Sequence, residues 1–206
     1  MILDFIKHIV PRVVRSKDLT LTYTFCFGGI ALSMLLVLGV TGMLSALYYR
    51  PSPTEAFHSV LFLEESVWGG RLIRSMHRMS SHALLVLLLL HTLRVVLTGA
   101  FAPPRQKNWV VGVLLCALVV FEAYTGYLLP MDQLAFWATQ TGMTLLTSVP
   151  GGNALAFLLV PDSVGGAESL LRFYVLHIMI IPLFIAVLCM IHLFLVRRQK
   201  GTLPYL

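Results

Sequence analysis

Four apolar runs, each long enough to cross the hydrocarbon core of a bilayer, constrain this chain more than any other feature. They cover residues 21–48, 75–98, 109–129 and 173–196, runs A to D, and roughly 20 helical residues suffice for a crossing. Lipid gives the backbone no hydrogen-bond partner, so open segments of this kind cross as helices that satisfy themselves. Of the 206 residues 58% are hydrophobic and 12% charged, too apolar a balance for a domain with a solvated surface. The formal charge of +6 does not point to nucleic acid, because the basic residues gather at the ends of the apolar runs rather than on one face. The three cysteines, Cys26, Cys116 and Cys189, all lie in apolar stretches and form neither a disulfide framework nor a CxxC site.

The sequence therefore predicts an all-α integral membrane protein, a four-helix bundle occupying 21–206. The preceding stretch, MILDFIKHIVPRVVRSKD, lacks the long apolar run and small-residue cleavage site of a signal peptide. It reads as an interfacial amphipathic helix over 1–20. Between C and D, residues 130–172 are broken by PGG and VGG, and MDQLAFWATQTGMTLL reads as a short amphipathic helix on the membrane surface. Lys7, Arg12, Arg15, Lys17, Arg94, Arg105, Lys107, Arg197, Arg198 and Lys200 fall on one side of the bundle. The positive-inside bias makes that side cytoplasmic, with both termini on it, and runs B and D parallel.

Two of the runs carry paired histidines. His77 and His91 in B stand at i and i+14, and His177 and His192 in D at i and i+15. At a rise of ~1.5 Å and ~100° per residue, each pair lies about 21 to 22 Å apart on roughly one helix face. Because B and D are parallel, His77 meets His177 near the outer side and His91 meets His192 near the inner side. Two imidazoles from facing helices supply both axial ligands of a haem iron, a closed site suited to electron transfer. Interhelical hydrogen bonding is the plainer explanation of a single intramembrane histidine. Matched pairs on parallel spans favour two haems stacked across the bilayer, since intramembrane ionisable residues are costly.

Runs A and C repeat the interval with glycine: Gly28 and Gly42, Gly112 and Gly126, each pair again at i and i+14. A missing Cβ lets a helix backbone come close to a flat ring, and this interval is not a helix-packing period. Arg74 and Arg78 flank His77, Arg94 follows His91 and Arg197 follows His192. At interfacial depth they suit haem propionates, and they also serve topology and snorkelling.

At these residues the chain resembles cytochrome b6 and the N-terminal half of bc-complex cytochrome b. The resemblance runs from about Tyr23 to Pro204 through FCFGG, YYRPSPTEAF, LIRSMHR, HTLRVVLTGAF, NWVVGV, TGYLLPMDQ, LRFYVLH and IHLFLVRRQKG. It implies that His77, His91, His177 and His192 ligate two b haems of a quinol-oxidising, proton-translocating complex. The complex would act as a quinol:cytochrome c oxidoreductase, or one with a plastocyanin-like acceptor. A Rieske iron-sulfur protein and a c-type cytochrome would be partners in a dimeric assembly in a bacterial inner or thylakoid-type membrane. The PEWY-bearing portion of the family is absent, so the resemblance implies a subunit IV-like polypeptide that completes the outer quinol site. This subunit would not be active alone. Cys26 occupies the YCxGG position that, in split members of the family, bears a third, covalently attached haem beside the inner one.

The chain departs from the family at Met79 and Met131, where tryptophan is usual, suggesting altered packing or a different quinol at the outer pocket. Glu122 stands where an apolar residue is usual. It reads as a carboxyl bonded to a neighbour, with proton transfer from quinol as the alternative. A dihaem anchor of a non-Rieske oxidoreductase is the rival function, disfavoured by TGYLLPMDQ and FCFGG. A haem-free transporter or channel is the other.

Overall fold

The computed structural model describes residues 26–199, so the interfacial helix expected over 1–20 lies outside the described residues. Within them the chain forms α1 (Phe27–Ala46), α2 (Ala56–Glu65), α3 (Gly70–Leu97), α4 (Gln106–Leu128), α5 (Gln133–Thr147), α6 (Gly152–Leu159), α7 (Ala167–Val175) and α8 (Ile181–Arg198). A π turn at Leu176–Ile180 joins α7 to α8, giving one continuous 32-residue helix. That helix, α1, α3 and α4 are long and apolar enough to cross a membrane. The four expected spans are thus present, with helix starts that hydropathy did not locate. α3 begins five residues before run B and α7 six before run D, because Arg71, Arg74, Glu168 and Arg172 extend a helix into the interface without adding hydropathy.

Start points are set by backbone chemistry. Gly69 has a left-handed φ of 72°, and a Cβ on Gly70 would lie 1.8 Å from the Leu63 carbonyl oxygen. Only glycine fits such an approach, and it turns α2 directly into α3. The α2 segment was expected only as a connection between spans, and α6 was likewise not anticipated. Their lengths of 10 and 8 residues are too short for a clear helical period. The amphipathic helix expected within 131–146 is α5. Its N-cap is Asp132, which accepts a 2.8 Å hydrogen bond from the Ala135 amide, as short acidic side chains do at helix starts.

Packing organises the bundle as two helix pairs, α1 along α3 and α4 along α8. The central core comprises Ala31, Leu84, Val119, Ile181 and Ile185, with Leu35, Leu88, Leu115 and Phe121 against it. Leu84 lies midway between His77 and His91, and Val119 midway between Gly112 and Gly126. An apolar layer therefore separates the two histidine levels. A second core, Leu128, Met143, Ala156 and Phe173, seats α5 and α6 on the ends of α4 and α7 nearest His177. Polar clamps close this cap. Asp162 accepts hydrogen bonds from the Ser169 hydroxyl and from the amides of Glu168 and Ser169 at the start of α7. The Ser169 hydroxyl foremost, with backbone amides of Ser163, Glu168 and Asp162 itself, holds the Asp162 carboxyl down to a pKa of about 2. Arg172 donates to the Leu158 carbonyl at the end of α6. Tyr49, just past α1, donates to the Leu129 carbonyl at 2.7 Å and packs on Tyr174 at 5.2 Å. Burial, then Tyr174, raises the Tyr49 phenol pKa well above its ordinary value.

Candidate cofactor site

α3 presents His77 and His91, the π turn presents His177, and α8 presents His192. The rings of His77 and His177 have centroids 6.2 Å apart with planes at 77°, and those of His91 and His192 6.5 Å apart at 79°. The two carrier helices are parallel, and the histidines meet level by level. Their unequal spacing, i+14 on one helix against i+15 on the other, is reconciled by the π turn. One extra residue would rotate His192 by about 100° relative to His177 on a regular α-helix. A π turn absorbs one inserted residue and returns the helix to its former face.

Each of the four glycines has a histidine ring beside it. A Cβ on each would meet the edge of that ring. Gly28 faces His91 Cε1 at 3.3 Å, Gly42 faces His77 Cε1 at 3.2 Å, and Gly112 faces His192 Cε1 at 3.3 Å. Gly126 is tightest, with a Cβ position 2.4 Å from His177 Cε1. Each imidazole is thus lodged against the bare backbone of a neighbouring helix, which limits its rotation.

Hydrogen bonds fix the tautomers at the His77/His177 level. Thr41 Oγ1 donates to the Val37 carbonyl at 2.7 Å and lies 3.0 Å from His77 Nδ1. Its one hydrogen is committed, so the oxygen accepts from Nδ1–H. Thr125 Oγ1 repeats this, donating to the Glu122 carbonyl at 2.9 Å and lying 3.2 Å from His177 Nδ1. Nδ1 carries the proton in both rings, and Nε2 keeps the lone pair that a metal requires. Sequence reasoning missed both threonines, although each immediately precedes a glycine of the i, i+14 pattern, Thr41–Gly42 and Thr125–Gly126. Glu122 Oε1 lies 3.2 Å from His177 Nδ1, so its neighbour is a histidine of the pair.

The arrangement suits a metal macrocycle. Two imidazole nitrogens bound to one metal from opposite sides at about 2 Å each keep their ring centres about 6 Å apart, close to both separations observed. Among the described residues no three His, Cys, Asp or Glu side chains converge to hold a bare ion. A metal gripped by two histidines here takes its remaining ligands from the cofactor, as haem iron does.

Other expected contact residues fall around these levels. Arg74 pairs with Glu64 of α2, and Arg78 is exposed on α3. Arg94 and Arg197 lie in the last turns of α3 and α8, three and five residues beyond His91 and His192. Cys26 is exposed at the start of α1, two residues from the glycine that lodges His91. Met131 borders an open groove with Phe57, Asp132, Gln133 and Leu134 at the capped end of the bundle.

Comparison with known proteins agrees with this architecture. The chain is 41% identical to the cytochrome b6 of Heliomicrobium gestii over 96% of its length and 92% of that protein's. It is 35% identical to the menaquinol:cytochrome c reductase cytochrome b subunit of Geobacillus thermodenitrificans, over 98% of this chain and 91% of that one. A solved structure described as a hyperthermophilic respiratory Complex III contains a chain that superposes with a TM-score of 0.82 at 28% identity. The match covers 98% of this chain but 56% of that one, so the protein spans little over half the length of its structural relative. The sequence model of the family described as Cytochrome b/b6/petB matches residues 13–200, and the chain belongs to that cytochrome b family.

Proposed function

We propose that this protein is the dihaem cytochrome b subunit of a quinol-oxidising, proton-translocating complex, with His77 and His177 holding one b haem and His91 and His192 the other. The single observation that carries the reading is the pairing of histidines from parallel helices at 6.2 and 6.5 Å. Haem bound at these two levels supplies reversible one-electron chemistry, and two in series make an electron path through the bilayer. The chain's own residues hold and orient. Thr41 and Thr125 keep Nδ1 protonated, the four glycines fix the ring positions, and the layer around Leu84 and Val119 keeps water from the space between levels.

The His77/His177 level is the outer one in this proposal and the His91/His192 level the inner, with both termini cytoplasmic, as the Lys and Arg distribution indicates. Quinol is oxidised at the outer side, near the groove bordered by Met131 and Phe57, and a quinone is reduced at the inner side. The name of the Geobacillus relative, a menaquinol:cytochrome c reductase subunit, supports a quinol donor and a cytochrome c acceptor, and the family resemblance adds a Rieske partner. A second polypeptide resembling subunit IV completes the outer site. Its support is the likeness to a cytochrome b6 of which the match covers 92%. Cys26 carries a third haem covalently, a role supported by its FCFGG setting and its exposure beside the inner level.

The test is a dithionite-reduced spectrum of the purified complex together with its subunit inventory. Two b haems per copy of this chain are expected, with Rieske and c-type subunits present, and a preparation without b haem overturns the reading. A denaturing gel of the same material, stained for haem peroxidase, should show a band at this chain. No stain from a fully loaded complex removes the Cys26 attachment.

A further inference from the structure

We infer that Glu122 is a positioning residue for His177, strengthening its donation to iron and lowering the midpoint potential of the haem at the His77/His177 level. The inference rests on the reading of His177 as a haem ligand. Glu122 lies within the apolar α4, its side chain 20% exposed, a costly place for a carboxyl in a membrane span. Its Oε1 is 3.2 Å from His177 Nδ1, while Oε2 is buried with no hydrogen bond. The polar contact that the carboxyl makes is therefore with the histidine. The same Nδ1 lies 3.1 Å from the Glu122 carbonyl oxygen and 3.2 Å from Thr125 Oγ1. The Thr125 hydrogen is donated to that carbonyl, so three oxygens surround Nδ1 and none offers it a proton. Acceptors around the remote N–H of a metal-bound imidazole pull the proton outward and raise the basicity of the ligating nitrogen. Greater donation stabilises the oxidised metal and lowers its potential.

The fold supplies its own comparison. Glu122 and Thr125 stand four and one residues before Gly126, and Asn108 and Val111 stand four and one before Gly112 in the same helix. At that second level the Asn108 backbone carbonyl faces the His192 ring, as the Glu122 carbonyl faces His177. Asn108 Oδ1 and His192 Nδ1 are nonetheless both buried without a hydrogen bond. Across the first level His77 Nδ1 has the Thr41 hydroxyl. His177 thus has two side-chain acceptors where the matching positions of the repeat provide none. Glu122 Oε1 is thus an acceptor on His177 with no counterpart at the other level.

Redox titration of both b haems in the intact complex, followed optically and by the low-spin ferric EPR signal of each haem, tests this. In Glu122→Leu and Glu122→Ala, the oxidised-to-reduced ratio of one haem at a fixed ambient potential should fall about tenfold, the scale of lost second-layer bonds to a metal ligand. For a one-electron couple that is an upward shift of about 59 mV. The other haem should not move. Glu122→Gln keeps a carbonyl oxygen at the same reach and should return the potential most of the way. Unchanged potentials in both apolar variants, an equal shift of both haems, or a Gln shift as large as the Leu shift would each overturn the inference. Absence of either b haem from the wild-type complex is a separate result, which removes the ligand assignment instead.

Discussion

The four imidazoles differ in how tightly the neighbouring backbone confines them, and that difference can be measured. At Gly28, Gly42 and Gly112 an added methyl would sit 3.2 to 3.3 Å from a histidine carbon, a contact relieved by a few tenths of an ångström. At Gly126 it would sit 2.4 Å from His177 Cε1 and 2.9 Å from Nε2, overlapping the very nitrogen proposed to bind iron. His177 cannot swing away freely, because its Nδ1 is tied to α4 by Thr125 and Glu122. Gly126→Ala is therefore expected to cost about 1 to 3 kcal/mol in local overpacking and to remove the haem of the His77/His177 level. Gly112→Ala should keep both haems. Haem content per polypeptide, measured on both variants in assembled complexes, checks the ranking; equal loss in the two would refute it.

Among the elements, the π turn at Leu176–Ile180 has the clearest structural task. It takes up the extra residue between His177 and His192 while leaving Ile181 and Ile185 in the central core, each 3% exposed. Removing one residue inside the turn, such as Met179, should let it relax to an ordinary α-helix with both histidines still facing α3. Removing one from α8, such as Leu188, would displace either His192 by about 100° or the core residues before it. The Met179 deletion is expected to retain both b haems and the Leu188 deletion to lose one or both. The count of haems in reduced spectra distinguishes the two outcomes.

On the scale of the whole molecule, the basic residues and the histidine levels together define a direction. Arg94, Lys107, Arg197 and Arg198 lie at the His91/His192 end of their helices, whereas the α5–α6 cap lies at the other end. A reporter protein fused after residue 206 should be active on the cytoplasmic side. One inserted in the turn at 148–151, between α5 and α6, should report from the opposite side. Matching signals from both positions would reverse or break the proposed topology. The cap bears on function because its groove adjoins the His77/His177 level, the proposed entry point for electrons.

Much of this was legible in the sequence, for identifiable reasons. Lipid allows an open segment few ways to satisfy its backbone, so apolar length alone located four crossing helices. A fixed helical rise turned the histidine intervals, i+14 and i+15, into two expected levels. The glycine interval also showed in the sequence, whereas the imidazole edge beside each one depends on how neighbouring helices pack. α2 and α6 were missed because short helices held by glycine turns and tertiary contacts leave little periodic signal. The extra residue in the last span was visible as a number, while the π turn that absorbs it depends on where Ile181 and Ile185 must pack. Glu122 stood out in sequence as a carboxyl in an apolar run. Its partner could be decided only by the tertiary structure, because the contact joins residues 55 positions apart on two helices whose relative rotation no local pattern encodes.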